Sequence, residues 1–113
     1  MKFKIVLVPF PFDDLASSKV RPAVYLTNAI GPYRHIILAF ITSRIPPNLL
    51  NSDIVLISSD PDFTQTGLRV SSTLQLHRLL TATTGLIQRE LGRISPRIQV
   101  EIHRKLRGLF ELP

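Results

Sequence analysis

Nine prolines and five glycines in 113 residues leave this chain few places for long regular elements. Proline lacks a backbone N–H and fixes φ, so it ends helices and tolerates only strand starts and open strand edges. The stretches between these breaks are rich in Val, Ile, Leu and Phe, which predicts short strands. Residues 5–8 read as the first, ended by Pro9 and Pro11, and residues 13–19 as a polar loop. A second strand covers 22–27, with proline at its tolerated first position, and a turn follows at 28–32. Residues 35–42 form a third strand whose centre is apolar on both faces, the pattern of a strand covered on both sides. Further strands are expected at 53–57 and 73–81, with a short extended piece in 86–94. Only the C-terminus changes period. Ser95 and Pro96 make an N-cap followed by proline at the first helical position. Ile98, Ile102, Leu106 and Leu109 then recur at the spacing of one helix face. The expectation is a single domain over 1–113, mainly β: a small barrel with a C-terminal amphipathic helix.

Composition narrows the chemistry. Fourteen Lys and Arg stand against eight Asp and Glu, a net charge of +6, and ten of the cations are Arg. That balance favours an acidic or polyanionic partner and forked recognition of phosphate or carboxylate. The absence of Cys excludes disulfides, thiolate metal sites and cysteine nucleophiles. The longest apolar run, residues 36–41, is far short of a membrane span. The basic start followed by apolar residues superficially resembles a signal peptide, but Pro9 and Pro11 interrupt it and no small-residue cleavage site follows. A cytoplasmic location is therefore expected.

His35, His77 and His103 lie on different elements, and the Asp residues are scattered through turns, so no metal is expected. No glycine-rich phosphate loop or dinucleotide fingerprint is present, and no cofactor is expected either. What remains is a set of Arg and hydroxyl residues at strand ends. Arg21, extended because it precedes proline, leads the second strand; Thr42 and Ser43 close the third, followed by Arg44. Taken by composition alone, Arg21 reads as a solvated arginine at a strand end. The basic run of His103, Arg104, Lys105 and Arg107 reads as a solvated helix face suited to a helix C-terminus.

The local sequence adds a resemblance. Ile5 to Leu15, with Pro9-Phe10-Pro11-Phe12-Asp13, followed by Ser17-Ser18-Lys19-Val20-Arg21-Pro22-Ala23-Val24, resembles the amino-terminal block of PemK/MazF-family toxins. Ala39-Phe40-Ile41-Thr42-Ser43 resembles the second block. Thr66-Gly67-Leu68, Leu76-His77-Arg78-Leu79-Leu80-Thr81 and Leu91-Gly92-Arg93-Ile94-Ser95-Pro96 resemble the third. Two positions depart from the pattern. Phe3-Lys4 stands where the family usually has Gly-Asp, and Ser17-Ser18-Lys19 replaces a Gln-Gly-Gly-like loop.

The resemblance implies a small SH3-like barrel of the CcdB/MazF type that forms a homodimer. It implies a metal-independent endoribonuclease acting on single-stranded RNA and neutralised by an antitoxin protein, expected here to be acidic. It places Arg21 on the catalytic arginine and Thr42 on the catalytic hydroxyl. Ser17, Ser18 and Lys19 fall on the segment that closes over RNA, with Ser43 beside Thr42, and Arg44 joins the cations expected to touch RNA. His77 stands where the family often carries an acid. Strict alternation would put it with Thr73, Gln75 and Thr81 on a polar strand face, as a base, an acid or a base-edge reader in the RNA groove, or as a partly exposed strand histidine. Arg78 interrupts the apolar face, marks a bulge or the strand's end, and is a weaker candidate phosphate contact. The alternative is a catalytically inactive or gyrase-inhibiting toxin-like protein, relying on its C-terminal helix, or a module that binds operator DNA with its antitoxin. Retention of both Arg21 and Thr42 favours the nuclease.

Overall fold

The computed structural model describes residues 2–10 and 19–113. Short apolar runs in the N-terminal half build strands β1 (Lys4–Phe10), β2 (Lys19–Tyr25), β3 (His35–Thr42) and β4 (Asp53–Leu56). A 3-10 turn at Thr64–Thr66 and the long β5 (Ser72–Thr83) follow. A second 3-10 turn at Thr84–Leu86 leads to β6 (Arg89–Arg93) and the helix α1 (Pro96–Leu109). The strands form one antiparallel sheet in the order β4-β5-β3-β2-β1-β6, curled into a half-barrel. Its end strands β4 and β6 do not pair with each other. Instead the 3-10 turn after β4 packs on β6: a Cβ at Gly92 would lie 2.2 Å from the Gln65 carbonyl oxygen.

Both faces of the central strands are buried, as their two-sided apolar pattern predicts. Ile5, Val24, Ala39, Ile41, Leu74 and Leu76 point to one core, which α1 covers with Ile98 and Ile102. Val6, Val8, Ala23, Tyr25, Leu38 and Phe40 point to the other. The helix begins as expected: Ser95 is extended, and its Oγ accepts the Ile98 N–H. Leu106 is partly buried, whereas Leu109, at the last turn, is exposed. No helix among the described residues is long and apolar enough to cross a membrane.

β4 ends one residue short of expectation, whereas β1, β2 and β5 differ more, and proline explains the first two of these. β1 runs through Pro9, which pairs with Val20. The Leu7 carbonyl accepts the Gln88 N–H, so Leu7 turns its polar groups toward β6. Pro9 has the same orientation, but pairing with β6 stops at Leu7 opposite Arg89. The donor that proline lacks would thus face an unpaired edge. β2 likewise starts at Lys19, before Pro22, and ends at Tyr25. Pro22, opposite Leu7, turns its nitrogen toward β3, where pairing begins only at Ala23 opposite Phe40. Pro22 is the point at which β2 and β3 part. The third difference is β5, which extends to Thr83 and carries an irregularity: Ala39 faces Leu79, yet the next residue, Phe40, faces Gln75. Leu76, His77 and Arg78 are therefore extra residues bulged out of the β3–β5 ladder.

Candidate functional site

Where β2 and β3 part, a groove of about 850 Å3 opens. Arg21 enters it from β2, Thr42 from the end of β3, Ser43 and Arg44 from the turn beyond, and Gln75 and Arg78 from β5. Among the described residues its lining includes three Arg and no Asp or Glu. These three cations give the groove a positive character suited to a polyanion.

Thr42, the Arg44 backbone and Arg78 are each held by defined contacts. The Thr42 Oγ1 accepts the Arg44 backbone N–H at 3.3 Å, and the buried Thr73 hydroxyl donates to the Arg44 carbonyl at 2.8 Å. The turn carrying Thr42 is thereby tied at both ends of Arg44. Because that bond uses an acceptor position, the Thr42 hydroxyl retains its proton for donation. Arg78 lies with its guanidinium carbon 4.3 Å from the centre of the Phe40 ring, and its NH1 donates to Gln75 Oε1 at 3.3 Å. The cation is thus held over the face of a ring of the second core. Phe40 thus serves both core and groove, a double role its apolar context does not reveal.

The expected site residues divide into three groups. Arg21, Thr42, Ser43, Arg44 and Arg78 line one groove although they come from three strands. Lys19 opens β2 opposite Phe10, and Ser17 and Ser18 lie outside the described residues. His77 does not line the groove. Its ring Nδ1 is 2.7 Å from Ser52 Oγ, on the turn before β4. The polar-face reading fails because it extends strict alternation through residues 76–78, where the bulge breaks the period. Even Thr73 and Thr81, placed with it by that rule, differ: the first is buried and the second exposed. Among the described residues no cluster of three or more His, Asp or Glu could hold a metal.

A second groove, of about 440 Å3, meets the first across Pro22 and Ser43. Leu7, Leu68, Val70 and Leu91 give it apolar walls, and Arg69 and Arg89 bring cations. These residues are far apart in the chain. Only the register, which sets Arg89 and Pro22 on either side of Leu7, brings part of this wall together.

Comparison with known proteins follows the same outline. The family model described as PemK-like, MazF-like toxin of type II toxin-antitoxin system matches residues 1–110. Among solved structures, a Mycobacterium tuberculosis toxin, MazF-mt6, is similar with a TM-score of 0.75 at 16% identity, over 97% of this chain and 98% of that one. A mycobacterial endoribonuclease in complex with its cognate antitoxin gives 0.71 at 13% identity, over 100% of this chain and 96% of that one. Another mycobacterial endoribonuclease gives 0.69 at 14% identity, over 100% and 92% of the two chains. No curated protein matches the chain in sequence.

Proposed function

Since the chain belongs to the PemK-like, MazF-like family of type II toxins, we propose that it is an endoribonuclease that cuts single-stranded RNA at the groove between β2 and β3. The observation that carries this reading is the meeting of Arg21, Thr42, Arg44 and Arg78 in one groove. The mycobacterial neighbours named as endoribonucleases share the fold and support the assignment.

The chemistry follows from what these groups can do. The ribose 2′-oxygen attacks the adjacent phosphorus, forming the O2′–P bond while the P–O5′ bond breaks. The products are a 2′,3′-cyclic phosphate and a free 5′-hydroxyl. The 2′ proton leaves to the surroundings, and one is returned to the departing 5′-oxygen. Negative charge builds on the non-bridging oxygens in the transition state. A forked guanidinium such as Arg21 offers them two aligned donors, and Thr42 a third. A guanidinium holds its proton at neutral pH and is a poor proton acceptor, so Arg21 acts here by stabilising charge. Arg44 and Arg78 hold flanking phosphates. DNA lacks the attacking 2′-hydroxyl and is not a substrate.

The reaction draws on no metal in this scheme. Purified protein incubated with single-stranded RNA and a chelator should cut it and leave cyclic-phosphate ends. Removing a preorganised donor of this kind costs about 100- to 1000-fold in rate, the loss expected for Arg21→Ala. Intact RNA of varied sequence after incubation with the wild type would refute the reading, as would cleavage indifferent to Arg21→Ala. The partner is an acidic antitoxin segment that competes with RNA for the same cations, in keeping with the neighbour solved with its cognate antitoxin. Its affinity should fall as salt rises. A homodimer and a cytoplasmic location complete the proposal.

A further inference from the structure

The bulge of β5 raises a mechanical question that the groove leaves open. Leu76, His77 and Arg78 lie beyond the β4 ladder, which ends at Asp53 opposite Gln75, and the β3 register skips them, passing from Leu79 to Gln75. The bulged segment nevertheless presents the Arg78 guanidinium to the groove. The anchor is Ser52. Its carbonyl accepts the Leu76 N–H at 3.0 Å, and its Oγ lies 2.7 Å from His77 Nδ1. One residue therefore holds two of the three bulged positions.

Ser52 is itself held firmly. It is buried in a turn closed by two bonds, Asp53 N–H to the Leu50 carbonyl and Leu50 N–H to Asp53 Oδ2. Lys105 of α1 donates to the carbonyl of the adjoining Asn51 at 2.9 Å. A continuous set of contacts thus runs from the helix through the 50–53 turn and His77 to Arg78, and ends on the Phe40 ring. His77 points away from the groove while its neighbour points into it, which is what a bulge does when it re-aims a side chain.

We propose that His77 and Ser52 are positioning residues: together they clamp the β5 bulge and aim Arg78 at the substrate phosphate. Arg78's part in catalysis rests on the ribonuclease reading above; the clamp itself does not. The Ser52 hydroxyl can donate to His77 Nδ1 or accept from it, according to the ring's tautomer, so the contact fits either arrangement of the ring proton.

The test compares His77→Ala, Ser52→Ala and His77→Asn, the last placing an amide near the position of Nδ1. Cleavage should show KM raised by about three- to tenfold in the first two variants, the worth of one net hydrogen bond, with kcat little changed. His77→Asn should recover most of the loss with an unaltered profile of rate against pH. In a cycle with Arg78→Ala, removing His77 as well should add nothing, since it acts through Arg78. A readout free of activity is the Arg78 Nε–Hε resonance. The Phe40 ring shifts it in the wild type; His77→Ala should remove that shift and His77→Asn keep it. Additive effects in the cycle overturn the proposal, as does a resonance indifferent to His77→Ala. So does an Asn variant as defective as Ala with a changed pH profile, which would make His77 an acid or base. Wild type that cleaves no RNA overturns the ribonuclease reading, and the resonance still decides the clamp.

Discussion

Replacing Gly92 by alanine tests how the two unpaired ends of the sheet are joined. A Cβ there would lie 2.2 Å from the Gln65 carbonyl oxygen and 2.6 Å from the Thr66 carbonyl carbon and oxygen, all of them backbone atoms. Ordinary contact requires the 3-10 turn to retreat from β6 by about 1 Å, and a gap of that size forfeits roughly a quarter to a half of the dispersion energy across it. Overpacking of this kind costs about 1–3 kcal/mol. Three other glycines calibrate the number. Gly31 has φ of +72° and nothing within 4 Å of a Cβ, so Gly31→Ala isolates the left-handed backbone cost, about 1–2 kcal/mol. Gly67 combines φ of +72° with a Cβ position 2.1 Å from the Leu91 carbonyl oxygen, and its alanine variant should lose the most, about 3 kcal/mol or more. Gly108 lies in α1 with open space around it, and Gly108→Ala should stabilise by up to about 1 kcal/mol. Urea denaturation at matched protein concentration measures all four. With m of about 1–3 kcal/mol/M, a loss of 2 kcal/mol moves the midpoint by roughly 1 M. Gly92→Ala as stable as the wild type would show that the turn and strand do not touch as described. A Gly67→Ala loss no larger than that of Gly31→Ala would say the same.

Ser95→Ala removes the cap of α1 and should cost about 1 kcal/mol in the same assay. Asp62 accepts from Ser95 and from Arg97, which hold its carboxyl below the ordinary carboxylate range. Its stabilising contribution is therefore complete above about pH 4 and is lost as pH falls through the lowered folded value. Midpoints of wild type and Asp62→Asn should converge over that acid range and separate at neutral pH; a constant difference would refute the linkage. RNA affinity should fall with salt with a log–log slope of about −2 if Arg21, Arg44 and Arg78 each neutralise one phosphate, and Arg44→Ala should reduce that slope by about 0.7. A slope near zero in titrations followed by fluorescence anisotropy would remove phosphate contact from the account.

Local features of the sequence point directly to much of this architecture. The capped helix is legible because Ser95, Pro96 and the spacing of Ile98 and Ile102 are all local signals. β3 is legible from a run apolar on both faces. Proline misleads where its neighbours matter more than its own geometry. Pro9 and Pro22 sit inside strands because the adjacent ladder stops beside each of them, and that depends on residues far away in the chain. His77 misleads for a related reason. Alternation is a local rule, whereas the three extra residues of β5 are visible only against β3. Arg21 and Thr42 are legible as strand-end residues and by family resemblance. Their common groove depends on the parting of β2 and β3, which no local pattern encodes. Ser52 has no signal at all: it is a serine in a turn until the fold sets it against His77.

The sheet order also has a consequence for synthesis. β1 is the first strand made, and one of its two partners, β6, is the last. About eighty residues separate Leu7 from Arg89, roughly 4–16 s of translation at about 5–20 residues per second. For that interval one edge of β1 has no mate of its own, and unpaired edges recruit strands from other chains. The groove is assembled earlier, once β5 has emerged, so its cations are in place before the sheet is complete. A nascent chain stopped between Thr83 and Arg89 should therefore aggregate readily. Release of the five residues of β6, and then of α1, ends that state.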